Sequence, residues 1–212
     1  MNKIIHVDKR DPKVETIRGA VHIIKNGGVI VYPTDTVYGL GANALNPNAI
    51  LKVFKIKDRP LNQPLPVAVS GLKMAEGLTF FDDKARQLVR AFWPGALTIV
   101  LTKRPIVPSI VAGGGLSVGL RMPNHSIPLI ILEQSGLPLV ATSANKHGLP
   151  NPIEAEEALR QVGDEVDLIL DGGNVSGQPS TVIDLTKRSP LIVRKGSITR
   201  AMIETIVGRV AT

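Results

Sequence analysis

Arg121 stands in the short apolar stretch Val118-Gly119-Leu120-Arg121-Met122-Pro123, just after the run Gly113-Gly114-Gly115. A buried guanidinium without a counter-charge is very costly, so an arginine in this setting demands an anion. That anion is either a ligand or a structural carboxylate. Thr34-Asp35-Thr36 sets two hydroxyls and a carboxylate between apolar segments, which suits a pocket wall better than a surface turn. Lys57 and Arg59 lie two apart at the end of a helical pattern and are stiffened by Pro60. Taken alone, the pair reads as a solvated basic helix end near the negative pole of its dipole rather than as a phosphate contact. Ser143 and Asn145 follow an apolar strand pattern, where loops carry ligands or form Asx and Ser turns.

Gly39-x-Gly41-x-x-Ala44 almost spells a dinucleotide-binding fingerprint, but its context does not fit. Six residues, Pro33 to Tyr38, separate the preceding strand pattern from Gly39, and the next helix begins only at Pro47. The helix is too late to hold a pyrophosphate at the glycines, and no acid occurs from Arg59 through Ala75 to take a ribose. No Walker A loop is present. The stretch reads instead as a glycine-rich turn with exposed backbone N–H groups beside two threonine hydroxyls.

The elements that must carry these groups alternate between helix and strand. Asp11-Pro12 reads as a helix start, with Val14, Ile17, Val21 and Ile24 at helical spacing before Gly27-Gly28. Asn46-Pro47 opens a second helix that ends before Pro60. Further helices are expected around Ala85 to Phe92, Ile127 to Glu133, from Pro152 with Ala155, Leu159 and Val162 inward, and from Thr199 to Val207. Strands are expected at Val29 to Tyr32, Pro66 to Val69, Leu97 to Leu101, the stretch holding Arg121, Leu139 to Thr142, Val166 to Leu170, Thr181 to Leu185 and Leu191 to Arg194. The fold class is α/β, one domain over residues 1–212, with a twisted mixed sheet.

Composition narrows the function. Hydrophobic residues make up 43%, enough for a core, and no apolar run nears the roughly 18 residues of a membrane helix. The N-terminal stretch is too charged for a signal peptide, so a soluble cytoplasmic protein is expected. Cysteine is absent, which excludes disulfides and thiolate catalysis, and four histidines without an HxxxH spacing give no zinc site. No metal ligands are assigned. The net charge of +7 favours a polyanionic partner.

Six stretches occur in order: PTDTVYGLGANA (33–44), KDRP (57–60), SVGLRMP (117–123), ATSAN (141–145), STVID (180–184) and VRKGSI (193–198). Together they resemble the YrdC/TsaC family, the threonylcarbamoyl-AMP synthases of tRNA modification, in its short form and across about residues 15–200. The resemblance implies a YrdC/RibB-like fold with a large positively charged concave cavity. It implies a nucleotidyltransferase that joins L-threonine, bicarbonate and ATP into L-threonylcarbamoyladenylate and pyrophosphate, with Mg2+ held mainly by the phosphates. The product would pass to the machinery that makes t6A in tRNA. Lys57 and Arg59 would be catalytic. ATP would be held by Lys57, Arg59, Gln63, Ser117, Asn145 and Arg194, and threonine by Thr34, Thr36, Arg121, Ser143, Ser180 and Thr181. A double-stranded RNA or tRNA-binding module and a paralogue with another substrate are the alternatives. Three positions depart from the common family pattern: Asn62-Gln63-Pro64-Leu65 followed by Ala68 where a histidine is frequent, Gln178-Pro179 before Ser180, and Lys146-His147-Gly148 after the SAN stretch.

Overall fold

A computed structural model describes residues 3–211. The chain runs β1 (Ile4–His6), α1 (Val14–Lys25), β2 (Ile30–Tyr32), β3 (Gly39–Gly41), α2 (Pro47–Lys57), β4 (Val67–Ala68), α3 (Leu72–Leu78), α4 (Asp83–Phe92), β5 (Leu97–Thr102) and β6 (Ser117–Arg121). It continues through α5 (Ser126–Ser135), β7 (Leu139–Val140), β8 (Thr142–Ser143), α6 (Ala155–Val162), β9 (Leu168–Asp171), β10 (Thr181–Asp184), β11 (Leu191–Arg194) and α7 (Arg200–Val207). No helix among the described residues is long and apolar enough to cross a membrane.

The helix signals in the sequence are obeyed unevenly. Asn46 caps α2 as expected, its side chain accepting from the backbone N–H of Asn48 and Ala49, with Pro47 in the first turn. Its C-cap is Asp58 in the left-handed region at φ 52°, which a short polar side chain tolerates. The α1 signal fails. Asp11 caps nothing, because Lys13 occupies the N-cap position and the helix starts at Val14. Likewise α6 starts at Ala155 rather than Pro152, and Leu159 faces outward at 39% exposure. β1, β3 and α3 were not expected at all: two are three residues long, and β3 is two-thirds glycine.

Strands divide between two mixed sheets rather than one. The first has the order β1-β9-β2-β3-β8, the second β11-β10-β5-β6-β4-β7. Residues 138–144 stitch them together. On one side this segment follows β3, with Val140 N–H donating to Ala42 O and Ala144 N–H to Tyr38 O. On the other it follows β4, with Val67 opposite Val140 and Ala141 N–H donating to Pro66 O. Ala141, between β7 and β8, is the crossing point.

β2 is buried on both faces, as continuous apolar strands between layers are. Val29 and Val31 enter a large core with α2, α3, α4, α6 and α7. Ile30 and Tyr32 enter a second core with Ile17, Ala20, Val21 and Ile24 of α1 and Ile127, Ile131 and Leu132 of α5. Each fully buried isoleucine in these layers contributes about 1.5–3 kcal/mol of transfer free energy.

Candidate active site

Period-two alternation builds the site. On β5, Leu97, Ile99 and Leu101 enter the large core while Thr98 and Val100 face the other way. On β6, Val118 and Leu120 enter the core while Gly119 and Arg121 face out, and Val182 behaves likewise on β10. These outward residues, with Ala68 from β4, floor a cavity of about 320 Å³. The first sheet closes it through Tyr32, Thr34, Thr36 and Gly39. Arg194 reaches the rim by a β-bulge. Ile183 pairs with Ile192, but Val182 pairs with Arg194, so Val193 is skipped and the arginine falls on the cavity side. Arg59, Arg121 and Arg194 line the cavity, and no Asp or Glu does.

The glycine motif serves packing. Gly39 lies directly across from Tyr32, and Gly41 from Ile30. The Tyr32 ring lies over both glycines: a Cβ on Gly41 would come 2.6 Å from Tyr32 Cε1, whereas one on Gly39 would meet only ordinary contacts at 3.5 Å. The expected exposed N–H groups are instead buried in a strand ladder. Gly41→Ala is therefore expected to lose about 1–3 kcal/mol by overpacking. Gly39→Ala should unfold at or above the wild-type temperature, since alanine in a strand is better than glycine by roughly 0.5–1 kcal/mol. Thermal denaturation of the two variants checks the contrast.

Arg121 spends three donors on the protein. Nε donates to Gly95 O at 3.0 Å, Nη1 to Thr36 Oγ1 at 2.8 Å and Nη2 to Asp35 Oδ1 at 2.7 Å. One hydrogen on each terminal nitrogen remains. Asp35 also accepts from Asn124 N–H, so the arginine is both neutralised and aimed. Thr34 donates its only proton to Val37 O at 2.7 Å, so Thr36 Oγ1 gives its own to Thr34 Oγ1 at 2.9 Å. Neither threonine has a proton left for a ligand. What Thr36 offers is a lone pair.

Arg194 donates from Nε to Ser180 O at 3.0 Å and from Nη2 to Ser180 Oγ at 2.9 Å. Burial, and then the neighbouring Arg121 charge, lowers its proton affinity. Arg59 donates from Nη2 to Pro64 O at 3.1 Å, its Nε is buried without a partner, and burial lowers its proton affinity too. Tyr32 has an unpaired buried hydroxyl, and burial drives its phenol far above the usual range, with Arg121 opposing only in part. Three guanidinium groups line the cavity; Arg121 is paired with Asp35, while Arg59 and Arg194 have no carboxylate partner among the described residues, a grouping that suits an anion.

The Sua5/YciO/YrdC family model, described as telomere recombination, matches residues 22–196. The chain belongs to the Sua5/YciO/YrdC family. It is 39% identical over 212 residues to a threonylcarbamoyl-AMP synthase of Pyrococcus abyssi, covering 99% of this chain, and 38% identical over 202 residues to one of Bacillus subtilis, covering 93%. It spans 62% and 57% of the lengths of those two relatives. The crystal structure of P. abyssi Sua5 complexed with L-threonine superposes with a TM-score of 0.94 at 39% identity, covering 98% of this chain and 62% of that one.

Of the residues picked out by the Sua5/YciO/YrdC motifs, Thr34, Thr36, Arg59, Arg121, Ser143, Ser180 and Arg194 line the cavity. The others do not. Lys57 is 2% exposed behind the wall, its Nζ donating to Ser143 O at 2.7 Å, Asn145 O at 2.8 Å and Asn145 Oδ1 at 2.9 Å. All three ammonium donors are spent on these oxygens, and through them Lys57 holds the SAN loop. Burial, with the Arg59 charge second, pulls Lys57 down to about 7. Asn145 is its partner, accepts the Ser143 hydroxyl at 2.6 Å and donates one Nδ2 hydrogen to Leu149 O, so Ser143 has no proton left for the cavity, and Asn145 stands outside the cavity wall. Thr181 points into the core, as the neighbour of a cavity-facing residue on a strand must, and donates to Ile198 O at 2.7 Å. Ser117 is at the far end of β6, opposite Thr102, and Gln63 sits on a half-buried turn outside the cavity wall. Tyr32 and Thr98 went unassigned in the sequence, although the alternation of β5 could have marked Thr98, with Thr102, as a polar residue facing away from the core.

Among the described residues, no group of three or more His, Cys, Asp or Glu could hold a metal ion. Asp35, the carboxylate between the wall residues Thr34 and Thr36, is already engaged by Arg121.

Proposed function

We propose that this protein makes L-threonylcarbamoyladenylate and pyrophosphate from L-threonine, bicarbonate and ATP. The observation that carries the reading is the convergence of Arg59, Arg121 and Arg194 on one cavity free of wall carboxylates. The names of the P. abyssi and B. subtilis relatives, and the L-threonine held by P. abyssi Sua5, support it.

Bicarbonate adds to the threonine amine to give a carbamate, with loss of water. A carbamate oxygen then attacks the α-phosphorus of ATP, the bond to the β-phosphate breaks and pyrophosphate leaves. Such a transfer depends on positioning and charge neutralisation more than on covalent help. Arg59 and Arg194 neutralise the triphosphate. Arg121, with its two remaining hydrogens, holds the threonine carboxylate, and the Thr36 lone pair accepts from the threonine nitrogen. Ser180 contributes to the same end. Lys57, Ser143 and Asn145 act by fixing the loop that borders both substrates. The wall has no carboxylate for Mg2+, so the ion would arrive on the phosphate oxygens with water completing its shell and would offset charge on the leaving pyrophosphate. The product is a labile acyl adenylate, suited to hand-over to tRNA-modifying machinery.

Incubation with L-threonine, Mg-ATP and carbon-13 bicarbonate, followed by mass spectrometry, tests this. The expected result is an adenylate one mass unit heavier than its unlabelled form, with pyrophosphate released only when threonine is present. Pyrophosphate release without threonine, or no adenylate, would overturn the reading.

A further inference from the structure

We infer that Thr98 is a substrate-binding residue that donates a hydrogen bond to an anionic substrate oxygen, at the end of a chain running from Arg194 through Ser180. The inference rests on the proposed reaction and adds a contact to it. Thr98 Oγ1 lies 2.8 Å from Ser180 Oγ, and Ser180 Oγ accepts from Arg194 Nη2 at 2.9 Å. Each hydroxyl carries one proton, and the bond between them uses one. Among the described residues neither oxygen has another hydrogen-bond partner, so one O–H is left without an acceptor. Thr98 is 4% exposed and Ser180 3%, and both line the cavity. A buried donor without an acceptor is costly, and the cavity is where an acceptor can enter.

The direction of the chain follows from the guanidinium. Accepting from Arg194 polarises the Ser180 O–H and makes it the better donor, so it donates to Thr98 and the leftover proton is that of Thr98. The strand neighbours fix the rotamer. Gly119 on β6 carries no side chain, and a Cβ there would lie 3.1 Å from Thr98 Cγ2. The methyl group thus occupies the glycine side, while the hydroxyl turns toward Ser180 and the cavity. The oxygen met there is a carboxylate or a phosphate oxygen, since both suit a donor beside two arginines.

The test is steady-state kinetics of labelled adenylate formation in the wild type, Thr98→Val and Thr98→Ser, with KM read separately for L-threonine and ATP and thermal unfolding as a control. Thr98→Val should raise one KM by about 10-fold or more, the size expected when a donor to a charged group is removed. A rise for L-threonine assigns the carboxylate, and a rise for ATP assigns a phosphate. Thr98→Ser should return that KM to within about threefold of wild type. An active wild type whose Thr98→Val leaves both KM values unchanged overturns the inference alone, including where the variant merely unfolds earlier. Failure of Thr98→Ser to rescue also overturns it, because the methyl group would then be the part that matters. A wild type that forms no adenylate overturns the reaction and this contact with it.

Discussion

Arg59→Ala should lower kcat/KM for adenylate formation by about 100- to 1,000-fold, the loss typical of removing a preorganised charge from a transition state. The side chain is held for the purpose. It follows the left-handed Asp58 that ends α2, its Nη2 is anchored on Pro64 O, and its Nε is buried with no protein partner. A structural arginine would have used that donor. Folding should not suffer, because burial already disfavours the charge. Pyrophosphate release and thermal unfolding, measured together, check the prediction. A variant that keeps its activity would remove Arg59 from the site, and one that loses activity only in step with stability would make it a structural residue.

Lys57→Met should have the largest effect on stability. It leaves Ser143 O, Asn145 O and Asn145 Oδ1 without their common donor in a place water does not reach. The cost of breaking such a buried set is about 3–5 kcal/mol, or a fall of roughly 6–20 °C in unfolding temperature for a chain of this size. Lys57→Arg should not restore it, since a planar fork cannot aim three N–H bonds at three oxygens around one point. Differential scanning calorimetry of both variants decides the matter. Adenylate formation should fall as well, because the oxygens that Lys57 holds belong to the loop bordering the cavity.

Much of this site was legible before any coordinates. The apolar runs of β5 and β10 gave strands, and Arg121 in an apolar stretch called for an anion; the structural ion pair, the alternative reading to a ligand carboxylate, is present with Asp35. The residues that fall outside the cavity wall do so for definable reasons. Ser180 and Thr181 are adjacent, so a strand must send them to opposite faces, and only the packing says which enters the core. Lys57 has the right type and spacing for phosphate, yet the SAN loop folds over it and claims every donor. Arg194 reaches the cavity through a bulge at Val193, and nothing in Leu191 to Arg194 marks a bulge. The glycines at 39 and 41 suggested bare backbone for a ligand. What they accommodate is a tyrosine ring from the neighbouring strand, a contact invisible to local spacing.

The segment 138–144 carries a geometric constraint of its own. It keeps step with β4 on one edge through Val67 and Val140, and with β3 on the other through Gly39 and Ser143. Two residues, Ala141 and Thr142, separate Val140 from Ser143, and that count gauges the distance between the two sheets. Adding or deleting one residue could preserve either pairing but would turn every side chain on the other to the wrong face. The width of the hollow is therefore written in a number of residues, and evolution or engineering can retune its wall by exchanging side chains far more readily than by changing that length.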